Sequence, residues 1–119
     1  MLEEFIVRAK SATYVGGGNK SATPTRTGSH DLGYRDGDWH YIDSYFGGTD
    51  FIGQEVVWHR GTAMWAMNYH GRILRPDMID ATTAGMVIQR SLSTLYREGR
   101  FLGGFTHPVE NLVYVDTNA

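Results

Sequence analysis

The second half of this chain begins to repeat the first. Behind one amphipathic segment stand Tyr14-Val15-Gly16-Gly17 and, further on, Tyr41-Ile42-Asp43-Ser44. Behind a second stand Phe101-Leu102-Gly103-Gly104 and then Tyr114-Val115-Asp116-Thr117. In the first half two more strand-like runs follow Tyr45-Phe46-Gly47-Gly48, whereas in the second the residues run out at Ala119. A sheet built on such a half-repeat has an edge without its expected neighbour, and an open edge is a template for another strand. The chain reads as one domain, 1–119, with repeat-like halves 1–75 and 76–119 and an incomplete second copy.

A chain of 119 residues can bury one sizeable core and not two. Its net charge of −2 supplies no basic field, so direct nucleic-acid binding is not expected. With no cysteine there can be no disulfide, no thiolate nucleophile and no Cys-based zinc site. Met1-Leu2-Glu3-Glu4 lacks the basic start of a signal peptide, and no apolar run nears the ~20 residues that span a bilayer. The expectation is a cytoplasmic protein that does not enter membranes.

Leu2, Phe5, Ile6, Ala9 and Ala12 recur at helical spacing, with Glu3, Glu4, Arg8 and Lys10 on the solvent side. Residues 16–31 have no apolar period and form a long loop, a candidate lid. Leu32–Tyr34 reads as a short strand, followed by Trp39–Phe46, Phe51–His59 and Thr62–His70, punctuated by Asp36-Gly37-Asp38, Gly47-Gly48-Thr49-Asp50 and Arg60-Gly61. A second helix starts near Pro76-Asp77 or at Asp80, buries Ala84, Val87, Ile88, Leu92 and Leu95, and stops at Gly99. Phe101–Phe105, a break at Pro108 and the strand Leu112–Thr117 complete the chain. Short turns force antiparallel neighbours, so the predicted class is α+β: an antiparallel meander with two helices packed on one face.

A four-residue loop at Gly47–Asp50 and a two-residue turn at Arg60-Gly61 place Trp39, Tyr41, Asp43, Tyr45, Ile52, Gln54, Val56, Trp58, Trp65, Met67 and Tyr69 on one sheet face. His40, Ile42, Ser44, Phe46, Phe51, Glu55, Val57, Met64, Asn68 and His70 take the other. The aromatic face is either a core under the helices or a pocket walled by Tyr41, Trp58, Trp65 and Tyr69, with Asp43 and Gln54 as polar anchors. Asp43 needs a hydrogen-bond partner there, because an unpaired buried charge costs several kcal/mol. Asp116 repeats its position, which favours a structural role for Asp43.

Other motifs carry less. Gly16-Gly17-Gly18-Asn19-Lys20-Ser21 lacks the spacing and the strand-to-helix context of a phosphate loop. No Gly-x-Ser-x-Gly elbow occurs. Ser29-His30-Asp31 holds triad residue types, yet a turn built on Asp31 explains it more simply. His40, His70 and Glu55 lack tight metal-ligand spacing, so neither a metal nor any other cofactor is expected. Arg72, Arg75, Arg90, Arg97 and Arg100 surround the second helix as scattered surface charge.

Several strings taken together carry a resemblance. They are Phe5-Ile6-Val7-Arg8-Ala9-Lys10-Ser11-Ala12-Thr13-Tyr14, Ser29-His30-Asp31-Leu32, Asp43-Ser44-Tyr45-Phe46-Gly47-Gly48 and Phe51-Ile52-Gly53-Gln54-Glu55. Val57-Trp58 and Trp65-Ala66-Met67-Asn68-Tyr69-His70-Gly71 continue the series. In this the chain resembles a bacterial domain of unknown function, number 5680, which stands alone or follows a helix-turn-helix region of the XRE regulator type. The resemblance implies no established activity and no catalytic residues. It also implies a longer pattern, with a further hairpin beyond the position of Ala119 that this chain lacks.

Three functions follow as expectations. The first is a non-enzymatic small-molecule-binding or sensing domain with contacts at Tyr41, Asp43, Tyr45, Trp58, Trp65 and Tyr69. The second is a small enzyme pairing Asp43 or Glu55 with His40 or His70 as acid and base. The third is an interaction module, a homodimer or strand exchange through the C-terminal edge.

Overall fold

The computed structural model describes residues 1–14 and 24–117. The elements run α1 (Leu2–Thr13), β1 (His30–Asp36), β2 (Trp39–Gly47), β3 (Asp50–His59), β4 (Thr62–Arg72), α2 (Ala81–Arg97), β5 (Phe105–Val109) and β6 (Leu112–Asp116). β1 to β4 form an antiparallel meander in sequence order, and β5 with β6 forms a second, two-stranded sheet. This is an α+β fold. Residues 16–23 of the candidate lid, 16–31, lie outside the described residues, and its last two, His30 and Asp31, begin β1 rather than ending a loop.

Helix α1 forms because its apolar spacing matches the face of β1 and β2 beneath it. Phe5, Ile6 and Ala9 are fully buried against Tyr41 and Val57, and the Phe5 ring lies 5.4 Å from Trp39 and 5.7 Å from Tyr34. Removing a ring such as Phe5 from so closed a site costs about 3–5 kcal/mol. Two positions depart from the sequence reading: Ala12 is exposed, and Lys10, assigned to solvent, is buried. α2 begins at Asp80, whose carboxylate accepts a 2.7 Å hydrogen bond from the Thr83 amide. Val87, Ser91, Leu95 and Tyr96 are its buried stripe, which packs on α1, β5 and β6. Pro108 does not break the chain but sits inside β5, a strand with one open edge where a missing N–H removes no ladder bond.

The register decides which residues share a face, and it differs from the sequence reading at two points. Gly47 stands opposite Phe51, so the β2–β3 connection is one residue shorter than expected. Gly47 adopts φ 92°, and the Gly48 amide donates to the Asp50 carbonyl at 3.0 Å, closing the tighter loop. All of β3 is therefore turned over. Glu55 and Val57 lie on the inner face with Tyr41 and Asp43, while Ile52, Gln54, Val56 and Trp58 lie on the outer face. The Arg60-Gly61 turn is as predicted, both residues having positive φ, and Trp58 does stand opposite Ala63. A bulge between Val57 and Trp58 then shifts β4, placing Trp65 opposite Val57. That shift offsets the first, and Trp65, Met67 and Tyr69 return to the inner face.

Candidate functional site

The inner face carries a buried network of ionisable groups. The Lys10 ammonium donates to both oxygens of Glu55, at 2.7 and 2.9 Å, and the Tyr41 hydroxyl donates to Glu55 Oε1 at 2.7 Å. Glu55 is 4% exposed and Tyr41 0% exposed, so little solvent screens the pair. The helix, the second strand and the third strand are tied together at one carboxylate. Burial, followed by the charge of Glu55, pushes the Tyr41 hydroxyl far above its ordinary range, so it stays a donor.

Asp43 stands directly opposite Glu55 across the β2–β3 ladder. Its Oδ1 accepts from the Tyr69 hydroxyl at 2.5 Å, across two strand spacings. Gly53 makes that reach possible. It is the cross-strand partner of Tyr69, and a Cβ on Gly53 would overlap the Tyr69 ring that lies over it. Phe51 lies over Gly71 in the same manner. Gly53→Ala should therefore cost about 1–3 kcal/mol in urea unfolding. In a Tyr69→Ala background the same substitution should be near neutral. An equal cost in both backgrounds would remove Tyr69 as its cause.

Burial pushes the Asp43 carboxyl up to about 6, the Tyr69 hydrogen bond acts in the opposite direction, and the Glu55 charge adds to the rise. The hydroxyl of Tyr14, at the end of α1, is raised by burial and then by the charge of Asp43 and by Tyr45. The Tyr96 hydroxyl is raised by burial and by Glu55, Tyr14, Tyr114 and Asp43 in turn. It is buried without a hydrogen-bond partner among the described residues, and its ring lies 5.9 Å from the Lys10 ammonium. Tyrosines thus gather round a carboxylate that has no ion pair of its own among the described residues, since Lys10 is spent on Glu55.

Five of the six sequence-derived site residues share this face: Tyr41, Asp43, Tyr45, Trp65 and Tyr69. The sixth, Trp58, lies on the outer face with its ring 5.4 Å from His40, because the shorter β2–β3 loop turned it over. The centre of the inner face is filled, Tyr41 and Val57 being closed off by α1. Toward β4 it is more open, with Trp65, Met67 and Tyr69 half-buried and Phe101 meeting Trp65 edge-on at 5.7 Å. Lys10 and Tyr96 belong to the cluster and escaped the sequence reading. Helical spacing could have shown that Lys10 adjoins the buried Ala9 and Ile6, but nothing local named its partner.

The acid–base pairing of Asp43 or Glu55 with His40 or His70 does not form. The carboxylates are on the inner face and both histidines on the outer, a consequence of strand alternation in the observed register. The outer face holds instead a shallow depression of about 240 Å³ beside Ser44, Phe46, Ile52, Gln54 and Asn68, bounded by Thr25 and Arg26. Asp31 staples that rim. It is 3% exposed and accepts from the Thr25 amide at 2.6 Å and the Ser29 hydroxyl at 3.5 Å. Burial would raise its carboxyl, but hydrogen bonds from Ser44, Thr25 and Ser29 outweigh this and lower it. His30 lies beside Tyr45 on the opposite face, so Ser29-His30-Asp31 is a turn and not a triad. Arg75, Arg90 and Arg100 are matched with Asp77, Glu110 and Glu98, and Arg97 donates to the Ser93 hydroxyl. Among the described residues no group of three or more His, Asp or Glu is placed to hold a metal ion.

Residues 43–119 match a family described as a domain of unknown function, DUF5680. The chain belongs to the DUF5680 family. No match was found among curated proteins or among solved structures. The family match begins at Asp43 and takes in Glu55, Trp65, Tyr69 and Tyr96, whereas α1, with Lys10 and Tyr14, lies before it. No helix among the described residues is long and apolar enough to cross a membrane.

Proposed function

We propose that this DUF5680 domain is a non-enzymatic small-molecule-binding or sensing domain of a bacterial cytoplasm, and that its ligand is a small primary ammonium compound. The observation that carries the reading is Asp43: a buried carboxylate held by Tyr69, facing Tyr14 and Tyr45, with its nearest cation already engaged by Glu55. Tyrosine faces and one carboxylate are the groups that recognise an organic cation. The Tyr96 hydroxyl, without a hydrogen-bond partner among the described residues, supplies an acceptor for an ammonium proton. Tyr41 and Trp65 form the wall behind Asp43, Tyr45 and Tyr69. Fusion of this family to XRE-type regulators, implied by the resemblance above, is consistent with a sensing role.

The test is calorimetric titration at pH 8 with n-butylamine, using n-butanol and butyrate as neutral and anionic controls. The amine should bind and the controls should not. Asp43→Asn and Trp65→Ala should each weaken binding at least tenfold while the folded far-UV spectrum is kept. Binding should also weaken below about pH 6, as Asp43 takes up its proton. Butyrate binding as well as the amine, or an affinity indifferent to Asp43→Asn, would overturn the reading.

A further inference from the structure

The unit α2-β5-β6 reproduces α1-β1-β2 in register as well as in order. Tyr34 stands opposite Tyr41 as His107 stands opposite Tyr114, and Leu32 opposite Asp43 as Phe105 opposite Asp116. The two hairpin turns place left-handed residues at the same position, Gly37 with φ 60° and Glu110 with φ 56°. Arg8 reaches Asp36 at one hairpin end, and Arg90 reaches Glu110 at the other, at 3.1 and 3.7 Å. The units differ at the next strand. The far edge of β2 carries β3, but among the described residues β6 has β5 as its one neighbour.

The edges of this hairpin are not alike. Beside a two-residue turn the first pair, Val109 with Leu112, exchanges both ladder hydrogen bonds, and the next pair points its backbone groups away. On β5 that outward position is Pro108, which has no N–H to offer. On β6 the outward positions are Val113 and Val115, whose side chains are 60% and 61% exposed. β5 is guarded against strand addition and β6 is not.

We propose that the β6 edge is occupied by β6 of a second copy of this chain, antiparallel about a twofold axis through Tyr114. The strand is self-complementary in that register. Val113 of each copy meets Val115 of the other, and these are the residues whose N–H and C=O point outward. Asp116 comes opposite Leu112 rather than opposite its own charge. The exposed valines merge into one apolar patch, and the product, β5-β6-β6-β5, has the strand count of the first sheet and ends at Pro108 on both sides. Assembly therefore closes at the dimer.

The experiment is light scattering behind size exclusion, from about 10 to 500 µM, on the whole chain. The parent should run at twice its 13.4 kDa mass. Val115→Pro, which removes an outward N–H and leaves the β5–β6 ladder whole, should weaken dimerisation at least tenfold without changing the far-UV spectrum. Thr106→Pro, an outward position on β5, should leave the dimer intact. If Val115→Pro unfolds the chain, Val113→Lys with Val115→Lys gives the same readout through charge. A parent monomeric at every concentration would overturn the proposal. So would a dimer that survives the β6 substitutions, open-ended oligomers, or a monomer that takes up an Asp50–His59 peptide at β6 instead.

Discussion

Lys10→Met should destabilise the fold by about 3–5 kcal/mol, the cost of leaving a buried carboxylate without its cation. Domains of this size hold roughly 5–15 kcal/mol in total, so the variant would sit near the edge of folding at 37 °C. Lys10 donates to both Glu55 oxygens, and at 4% exposure Glu55 has almost no water to replace the lost partner. Urea unfolding at pH 7.5 measures the effect. Methionine keeps the length and apolar stem of the side chain, so the loss reports the charge and its hydrogen bonds rather than a cavity. The double variant Lys10→Met with Glu55→Gln should recover much of the loss, because the orphaned charge is gone and the Tyr41 hydroxyl keeps an acceptor. A single-variant cost below about 1 kcal/mol, the range of an exposed ion pair, would show that the pair is not closed off from solvent.

Asp43→Asn should move stability in the opposite direction, and by an amount that depends on pH. The Asp43 carboxyl titrates near 6 in the folded protein, against about 3.9 in an unfolded chain. Between these values the folded state holds a proton that the unfolded state has released. Raising the pH through this window therefore removes stability, and the contribution is fully lost above about pH 6. A displacement of two units, in which the opposing Tyr69 hydrogen bond is already included, corresponds to about 3 kcal/mol. The asparagine variant carries no such proton. Its stability should match the parent near pH 4 and exceed it by about 1–3 kcal/mol at pH 7.5, as measured by urea midpoints across that range. Parallel curves for the two proteins would remove Asp43 as the titrating group. If the gain is found together with lost amine binding, the carboxylate is retained at a cost to the fold because the ligand needs it.

These two substitutions concern neighbouring carboxylates with opposite fates. Glu55 is satisfied by an ammonium and a tyrosine. Asp43 has a tyrosine and a negative neighbour, and its environment resists the charge.

Much of this was written locally in the chain. The punctuation at Asp36-Gly37, Gly47-Gly48 and Arg60-Gly61 marks every turn of the first sheet, since glycine and short polar residues are what a tight reversal accepts. The spacing of Phe5, Ile6 and Ala9 marks the buried side of α1, and Asp80 marks the start of α2. The Tyr-x-Asp motif at Tyr41 and Tyr114 marks two hairpins of the same register. Each of these depends on a few neighbouring residues, so composition and period suffice to read them.

The face carried by β3 was not local. One residue fewer in the loop after Gly47 decides whether Glu55 or Trp58 joins Tyr41, and one bulge after Val57 decides whether Trp65 joins them. Both choices are small in sequence and are made by how the sheet packs under α1. With Glu55 inward, Lys10 has a partner and can be buried; with Glu55 outward, the same lysine would have to reach water. Tyr96 comes to the cluster from a helix far along the chain, by the packing of α2 on α1. The sequence by itself determined both helices, the four strands of the first sheet and their order, because these follow from backbone preference and short-range period, whereas β5 through Pro108 did not follow from it. Only the tertiary structure decided which charges are paired and which is left over, because pairing depends on register and on contacts between residues far apart in the chain.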